Sequence, residues 1–151
     1  RPIRFVMDHN IFRNPVLNFI FRTGKAIPIA SAKEDPQLLE QAYDEIAGAL
    51  EHGDIVGIFP EGRITDTGEL YPFRGGIMRI VQRTPVPVVP LALRGLWGSF
   101  FSRKGGRAMT RISHLAPFKK IGLVGGRAVA PNDVTPQALQ EMVLALRNDW
   151  K

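Results

Sequence analysis

Glu61 and Arg63 flank Gly62 in the run Ile58-Phe59-Pro60-Glu61-Gly62-Arg63-Ile64-Thr65, and here the chain first offers chemistry. Asp54 to Phe59 just before it is an apolar run without alternation, which predicts a strand covered on both faces. Pro60 and Gly62 then turn the chain sharply. A carboxylate and a guanidinium are thus presented where a buried strand meets solvent, a common place for a ligand in an α/β sheet. An ordinary solvated turn pair would show the same residues. The histidines His9, His52 and His114 lack metal-ligand spacing, and with no cysteine the chain forms no disulfide and offers no thiolate ligand. His9 and His114 read as structural or surface histidines.

Around this turn the pattern predicts alternating strands and helices. Arg4 to Met7 reads as a short buried strand. Asn10 to Thr23 reads as a helix with Asn10 as cap, Pro15 in its first turns and Gly24 as stop. Ala26 to Ala30 is a second strand. Asp35-Pro36 starts a helix whose face is Leu39, Ala42, Tyr43, Ile46 and Leu50, and Gly53 ends it. After the turn, Gly75 to Arg83 predicts a short helix and Val86 to Leu93 a buried strand with two prolines, hence an edge or a bulge. Ile121 to Val129 suggests a strand or hairpin arm, and Thr135 to Trp150 an amphipathic helix. The alternation points to an α/β fold, a layered mixed sheet flanked by helices, in a single domain over residues 1–151.

With 151 residues the chain can bury a sizeable core, and 44% hydrophobic with 23% charged residues is ordinary for a folded domain. A net charge of +6 favours anionic partners, whether nucleic acid, anionic lipid or phosphorylated substrate. The basic residues are scattered and no helix-turn-helix, RNA-recognition or zinc-finger signature is present, so no nucleic-acid partner is expected. No apolar run approaches the roughly 18 residues of a membrane span, and no signal peptide is visible. Because the first residue is Arg, the chain is expected to be a fragment of a longer protein.

Several segments together resemble the glycerophospholipid acyltransferase family. Phe59 to Thr65 resembles its third block, Phe-Pro-Glu-Gly-Thr-Arg-Ser, with the arginine one position early at Arg63 and Ile64 where the family has arginine. Gly24-Lys25-Ala26-Ile27-Pro28-Ile29 is similar to the second block, with Ala30 replacing its arginine and Lys33 as a substitute three residues on. Val86 to Leu93 resembles the fourth block, and Pro72-Phe73-Arg74-Gly75-Gly76 the basic, glycine-containing segment after the third. The likeness covers roughly residues 3 to 100. Within it, Arg-Phe-Val-Met-Asp-His and Leu-Arg-Gly-Leu-Trp-Gly-Ser-Phe-Phe resemble a bacterial 2-acylglycerophosphoethanolamine acyltransferase subgroup, often fused to a transporter and an acyl-activating domain. The first block, His-x4-Asp, has no counterpart: Asn14, Gly57 and Lys119 stand where the aspartate would follow the three histidines.

The resemblance implies a glycerol-3-phosphate acyltransferase-like fold, truncated at its N-terminus, with the catalytic histidine and aspartate expected upstream of Arg1. It implies transfer of a fatty acyl group from acyl-CoA or acyl carrier protein, as co-substrates and without a cofactor or metal, to 1-acylglycerol-3-phosphate or 2-acylglycerophosphoethanolamine. Arg63, Arg74 and Lys33 would hold the substrate phosphate, Glu61 would brace the turn, Gly62 would allow close backbone approach, and Thr65 completes the substrate-binding set. The chain alone is expected to hold substrate without turning it over. Trp97, Phe100, Phe101, Arg103 and Lys104 are the candidate membrane contact, three aromatics beside two basic residues; equally, Trp97 and Phe100 read as packed loop residues. The expected location is the cytoplasmic face of the inner membrane, peripherally or within a larger membrane protein. The alternative is a non-catalytic basic module that binds lipid or a protein partner.

Overall fold

A computed structural model of the chain describes residues 3–13, 15–97 and 121–148. Its contacts divide into two compact units, Arg1–Phe59 with Arg79–Val86, and Pro60–Met78 with Pro87–Lys151.

The first unit holds three parallel strands, β1 (Ile3–Asp8), β2 (Ile27–Ile29) and β3 (Ile55–Gly57), in the order β2-β1-β3. Val6 pairs with Ile27, and Phe5 with Gly57. Parallel neighbours need crossover connections, supplied by helices α1 (Pro15–Thr23) and α2 (Pro36–Glu51). The first crossover departs from the expected single helix. A 3₁₀ turn, His9–Arg13, follows β1, and its Asn10 N–H donates to the Asp8 carboxylate at 2.8 Å. Asp8 rather than Asn10 is therefore the accepting side chain. Pro15 begins α1, where its missing N–H removes no helical bond.

α2 forms as its local signals dictate. The Asp35 side chain accepts the Leu38 N–H at 2.9 Å, and Pro36 occupies the first turn. At the other end the Asp54 N–H reaches Ala49 O and the Gly53 N–H reaches Leu50 O, the paired bonds of a Schellman cap. The buried face of α2 carries Ala42, Tyr43 and Ile46, which cluster with Ile27 and are joined by Val6, Ile29, Leu39, Leu50, Val56 and Ile80. Full burial of Ile27 and Ile46 contributes about 1.5–3 kcal/mol each.

Only one face of this sheet meets α2. Val6 and Val56 point into that core, so by alternation Ile3, Phe5 and Ile55 lie on the opposite face. There Ile3, Phe5, Ile55 and Phe59 are between 41% and 54% exposed, against the expectation of strands buried on both sides. An apolar run records side-chain type and carries no information about whether an element covers the second face. Phe5 also stacks on Phe59, with ring centroids 6.0 Å apart.

The second unit is built on β4 (Leu91–Arg94) paired antiparallel with β5 (Gly122–Gly125) and covered by helix α4 (Pro136–Arg147). β4 is shorter than the expected strand from Val86. Pro87 and Pro90 have no N–H to give to a ladder, and the pairing before Leu91 is reduced to a Val88–Val129 bridge. Thr135 caps α4 by accepting the Ala138 N–H at 3.1 Å, and Leu139 is its buried anchor. Helix α3 (Gly76–Arg83) follows the Pro60–Gly75 loop and buries Ile77 and Val81.

Candidate functional site

The Pro60–Gly75 loop belongs to the second unit and carries Glu61, Gly62, Arg63, Thr65 and Arg74. It is closed at its base by the Arg74 N–H donating to Pro60 O at 2.9 Å. Gly62 has φ +65°, a left-handed conformation that other residues adopt only at a cost. The Arg74 side chain lies directly against it: a Cβ at position 62 would stand 3.0 Å from the guanidinium carbon. The close approach expected of Gly62 is thus made by an arginine of the same loop.

Glu61 accepts the Tyr71 N–H at 2.7 Å and so ties the two legs of the loop together. Burial pushes its carboxyl above the usual value, while the Tyr71 bond and the charges of Arg147 and Arg63 pull it back. The Arg63 guanidinium sits over the Tyr71 ring, 3.4 Å from the centroid, in cation–π geometry. The Tyr71 hydroxyl donates to the Asp66 carboxylate, a bond that raises the tyrosine pKa. Thr65 uses its hydroxyl inside the loop, accepting the Gly68 N–H at 3.1 Å, and Thr67 accepts the Glu69 N–H at 3.2 Å. The Trp97 indole lies against Gly68 and is partly buried, which is the packed-loop alternative for this residue. Phe100, Phe101, Arg103 and Lys104 lie outside the described residues.

Arg63 and Arg74 are both exposed, and neither forms an ion pair with a carboxylate among the described residues. The contrast with other arginines is clear: Arg4 pairs with Glu45, Arg79 with Glu40, Arg83 with Asp44 and Arg147 with Glu69. Lys33 is exposed in the turn between β2 and α2, in the first unit, and Ala30 at the family's arginine position is buried. His9 Nδ1 lies 3.7 Å from Asp8 Oδ1. Among the described residues no group of three or more His, Cys, Asp or Glu side chains is placed to hold a metal ion.

Sequence reasoning missed Tyr71, Gln140 and Arg147. Tyr71 adjoins the Pro72–Gly76 segment, and that adjacency is the one local signal for it. Gln140 and Arg147 contact the loop from α4, at sequence separations of 67 and 79, and no local pattern announces that.

The acyltransferase family profile matches residues 1–94, more than half of the chain and through the Glu61–Arg74 loop. The chain belongs to the acyltransferase family. It is 33% identical over 87 residues to the N-acylphosphatidylethanolamine synthase of Arabidopsis thaliana, an alignment covering 56% of this chain and 30% of that protein. It is 29% identical over 93 residues to the 1-acyl-sn-glycerol-3-phosphate acyltransferase of Bacillus subtilis, covering 62% of this chain and 44% of that protein. The chain therefore spans less than half the length of these relatives. Among solved structures it superposes on the 1-acyl-sn-glycerophosphate acyltransferase PlsC of Thermotoga maritima with a TM-score of 0.63 over 93% of this chain and 53% of that one. At 18% identity that match concerns the fold, an α/β layering with a parallel sheet flanked by helices.

Proposed function

We propose that the chain is the substrate-holding part of a phospholipid acyltransferase domain, in which Arg63 and Arg74 bind the phosphate of a lysophospholipid. The observation that carries this reading is the pair of exposed arginines on one loop, Arg74 against Gly62 and Arg63 over Tyr71, without carboxylate ion-pair partners among the described residues. Charge-assisted bonds from arginine suit a phosphate in strength and geometry. Gly62 keeps the backbone beside Arg74 free of a side chain, and Glu61 braces the turn through Tyr71. Thr65 is a lesser member of the set.

In the reaction a lysophospholipid hydroxyl attacks the thioester carbonyl of acyl-CoA or acyl carrier protein. The new C–O bond forms, the C–S bond breaks, and the hydroxyl proton passes through a general-base histidine to the departing thiolate. That histidine and its aspartate are assigned to a His-x4-Asp block preceding the segment matched by Arg1 to Met7, since no such spacing occurs in residues 1–151. The acceptor is 1-acylglycerol-3-phosphate or 2-acylglycerophosphoethanolamine, and the departures at Ala30, Arg63 and Ile64 favour a head group other than the bare phosphate. We place the domain at the cytoplasmic face of the inner membrane, with Phe100, Phe101, Arg103 and Lys104 as the proposed lipid-contacting residue types and no nucleic-acid partner. Among the described residues no helix is long and apolar enough to cross a membrane.

The test is acyl transfer by the full-length gene product with each lysophospholipid, compared with Arg63→Ala and Arg74→Ala. Loss of a charged hydrogen bond worth about 1.5–3 kcal/mol should raise the lysophospholipid KM roughly tenfold to a hundredfold, with kcat largely kept. An unchanged KM in both variants removes the loop from the phosphate site. Absence of any acyl transfer by the full-length product supports the non-catalytic binding module instead.

A further inference from the structure

The loop that carries Arg63 and Arg74 is braced from within by Glu61 and held from outside as well. Its base is closed by the Arg74–Pro60 backbone bond, and its returning half, from Gly68 to Phe73, is held by α4. On the returning leg, the Phe73 N–H donates to Gln140 Oε1 at 3.1 Å, immediately before Arg74. Nearer the tip, Arg147 donates from Nη1 to Gly68 O and from Nη2 to the Glu69 carboxylate, each at 3.1 Å. The Arg147 side chain is only 14% exposed, so its guanidinium is committed to the loop and withheld from solvent anions.

α4 is itself fixed. Thr135 caps its start, Leu139 is buried, and Arg94 at the end of β4 donates from Nε to Leu146 O at 2.8 Å, one residue before Arg147. A continuous path of hydrogen bonds thus runs from β4 through Arg94 to the last turn of α4 and on to the loop. The same guanidinium also exerts its charge on Glu61, which braces the loop from within.

We infer that Gln140 and Arg147 are positioning residues, which use α4 as a strut to hold the returning half of the Glu61–Arg74 loop, and with it Arg74, where a substrate phosphate requires it. The inference rests on the reading of Arg63 and Arg74 as phosphate ligands, and α4 lies beyond the residues matched by the family profile. Charge-assisted hydrogen bonds weaken steeply with poor distance and angle, so a shifted loop loses phosphate affinity.

The experiment compares Gln140→Leu, Gln140→Glu, Arg147→Met and Arg147→Lys with Arg74→Ala in the full-length enzyme. Gln140→Glu keeps an acceptor for the Phe73 N–H and should stay within about twofold of wild type; Gln140→Leu and Arg147→Met should raise the lysophospholipid KM about tenfold. Arg147→Lys, which loses the fork but keeps the charge, should fall between. The acyl-donor KM and kcat should stay within about twofold throughout. In parallel, the backbone amide NMR signals of Gly62 and Arg74 should shift in Gln140→Leu and Arg147→Met and return in Gln140→Glu. Wild-type KM values with unmoved amides overturn the inference, and so does a Gln140→Glu variant as impaired as Gln140→Leu. If Arg74→Ala leaves KM unchanged, the phosphate reading falls by itself, and the amide shifts alone decide whether α4 sets the loop. If Arg74→Ala raises KM while the α4 variants do not, the positioning role falls and the phosphate reading stands.

Discussion

Replacing Gly62 by alanine tests the central geometry of the loop. At φ +65° an alanine meets the left-handed penalty of roughly 1–2 kcal/mol. Its methyl group would also stand 3.0 Å from the Arg74 Cζ and Nε atoms, so the guanidinium must give by a few tenths of an ångström. Arg74 is exposed and can move, so the packing cost should be small and the stability loss should come from the backbone. For a domain of this size about 1 kcal/mol corresponds to roughly 2–4 °C in Tm. Gly62→Asn separates the two effects. Asparagine tolerates the left-handed region better, so most of the lost stability should return. Its Cβ still meets Arg74, so the lysophospholipid KM should remain raised in both variants. Urea unfolding and thermal melts measure the first effect, and steady-state kinetics of the full-length enzyme the second. An alanine variant as stable as wild type, or an asparagine variant with normal KM, refutes the reasoning.

Other consequences can be checked directly. Burial raises the Glu61 carboxyl pKa above 4.5, so the folded state binds its proton more tightly than the unfolded chain. The contribution of Glu61 is therefore most favourable below its ordinary value and falls as pH rises through 4.5 to the raised native value. The side-chain amide introduced by Glu61→Gln still accepts the Tyr71 N–H and avoids this cost, so urea melts should find that variant at least as stable as wild type at neutral pH, with the advantage fading below pH 4.5. Gly57→Ala should destabilise by about 1–3 kcal/mol, because a Cβ there would lie 2.8 Å from two atoms of the Phe5 ring; denaturant midpoints would show it. Asp35→Ala removes the α2 cap and should cost about 1 kcal/mol in the same assay.

The parts of the structure that sequence made legible are those governed by neighbours along the chain. Asp35-Pro36 and Gly53 delimit α2 because a cap, a fixed proline φ and a Schellman turn act over a few residues. The face of α2 followed from helical spacing, with Ala42, Tyr43 and Ile46 buried as expected. The Glu61–Arg63 turn was found because strand, proline and glycine occur together. Less legible were features decided by distant partners. That Ile3, Phe5 and Ile55 stand on an open face depends on which helix covers the sheet, and hydrophobicity alone does not encode that. Phe73 and Gly68 depend on side chains of α4, and an arginine near the end of the helix expected over Thr135 to Trp150 suggests only a favourable charge at its C-terminus.

The backbone bond between Arg74 and Pro60 makes the loop a replaceable module. Chain closure varies only with the logarithm of loop length, and doubling a flexible loop costs about 0.6 kcal/mol. Insertions at the tip, between Asp66 and the Gly68–Glu69 grip of Arg147, can therefore lengthen the loop with little thermodynamic resistance while Arg63 and Arg74 are kept. Selection for a new head group could act there while the sheet, α2 and α4 stay unaltered. A single sheet scaffold would then serve a series of acceptors that differ only in one loop.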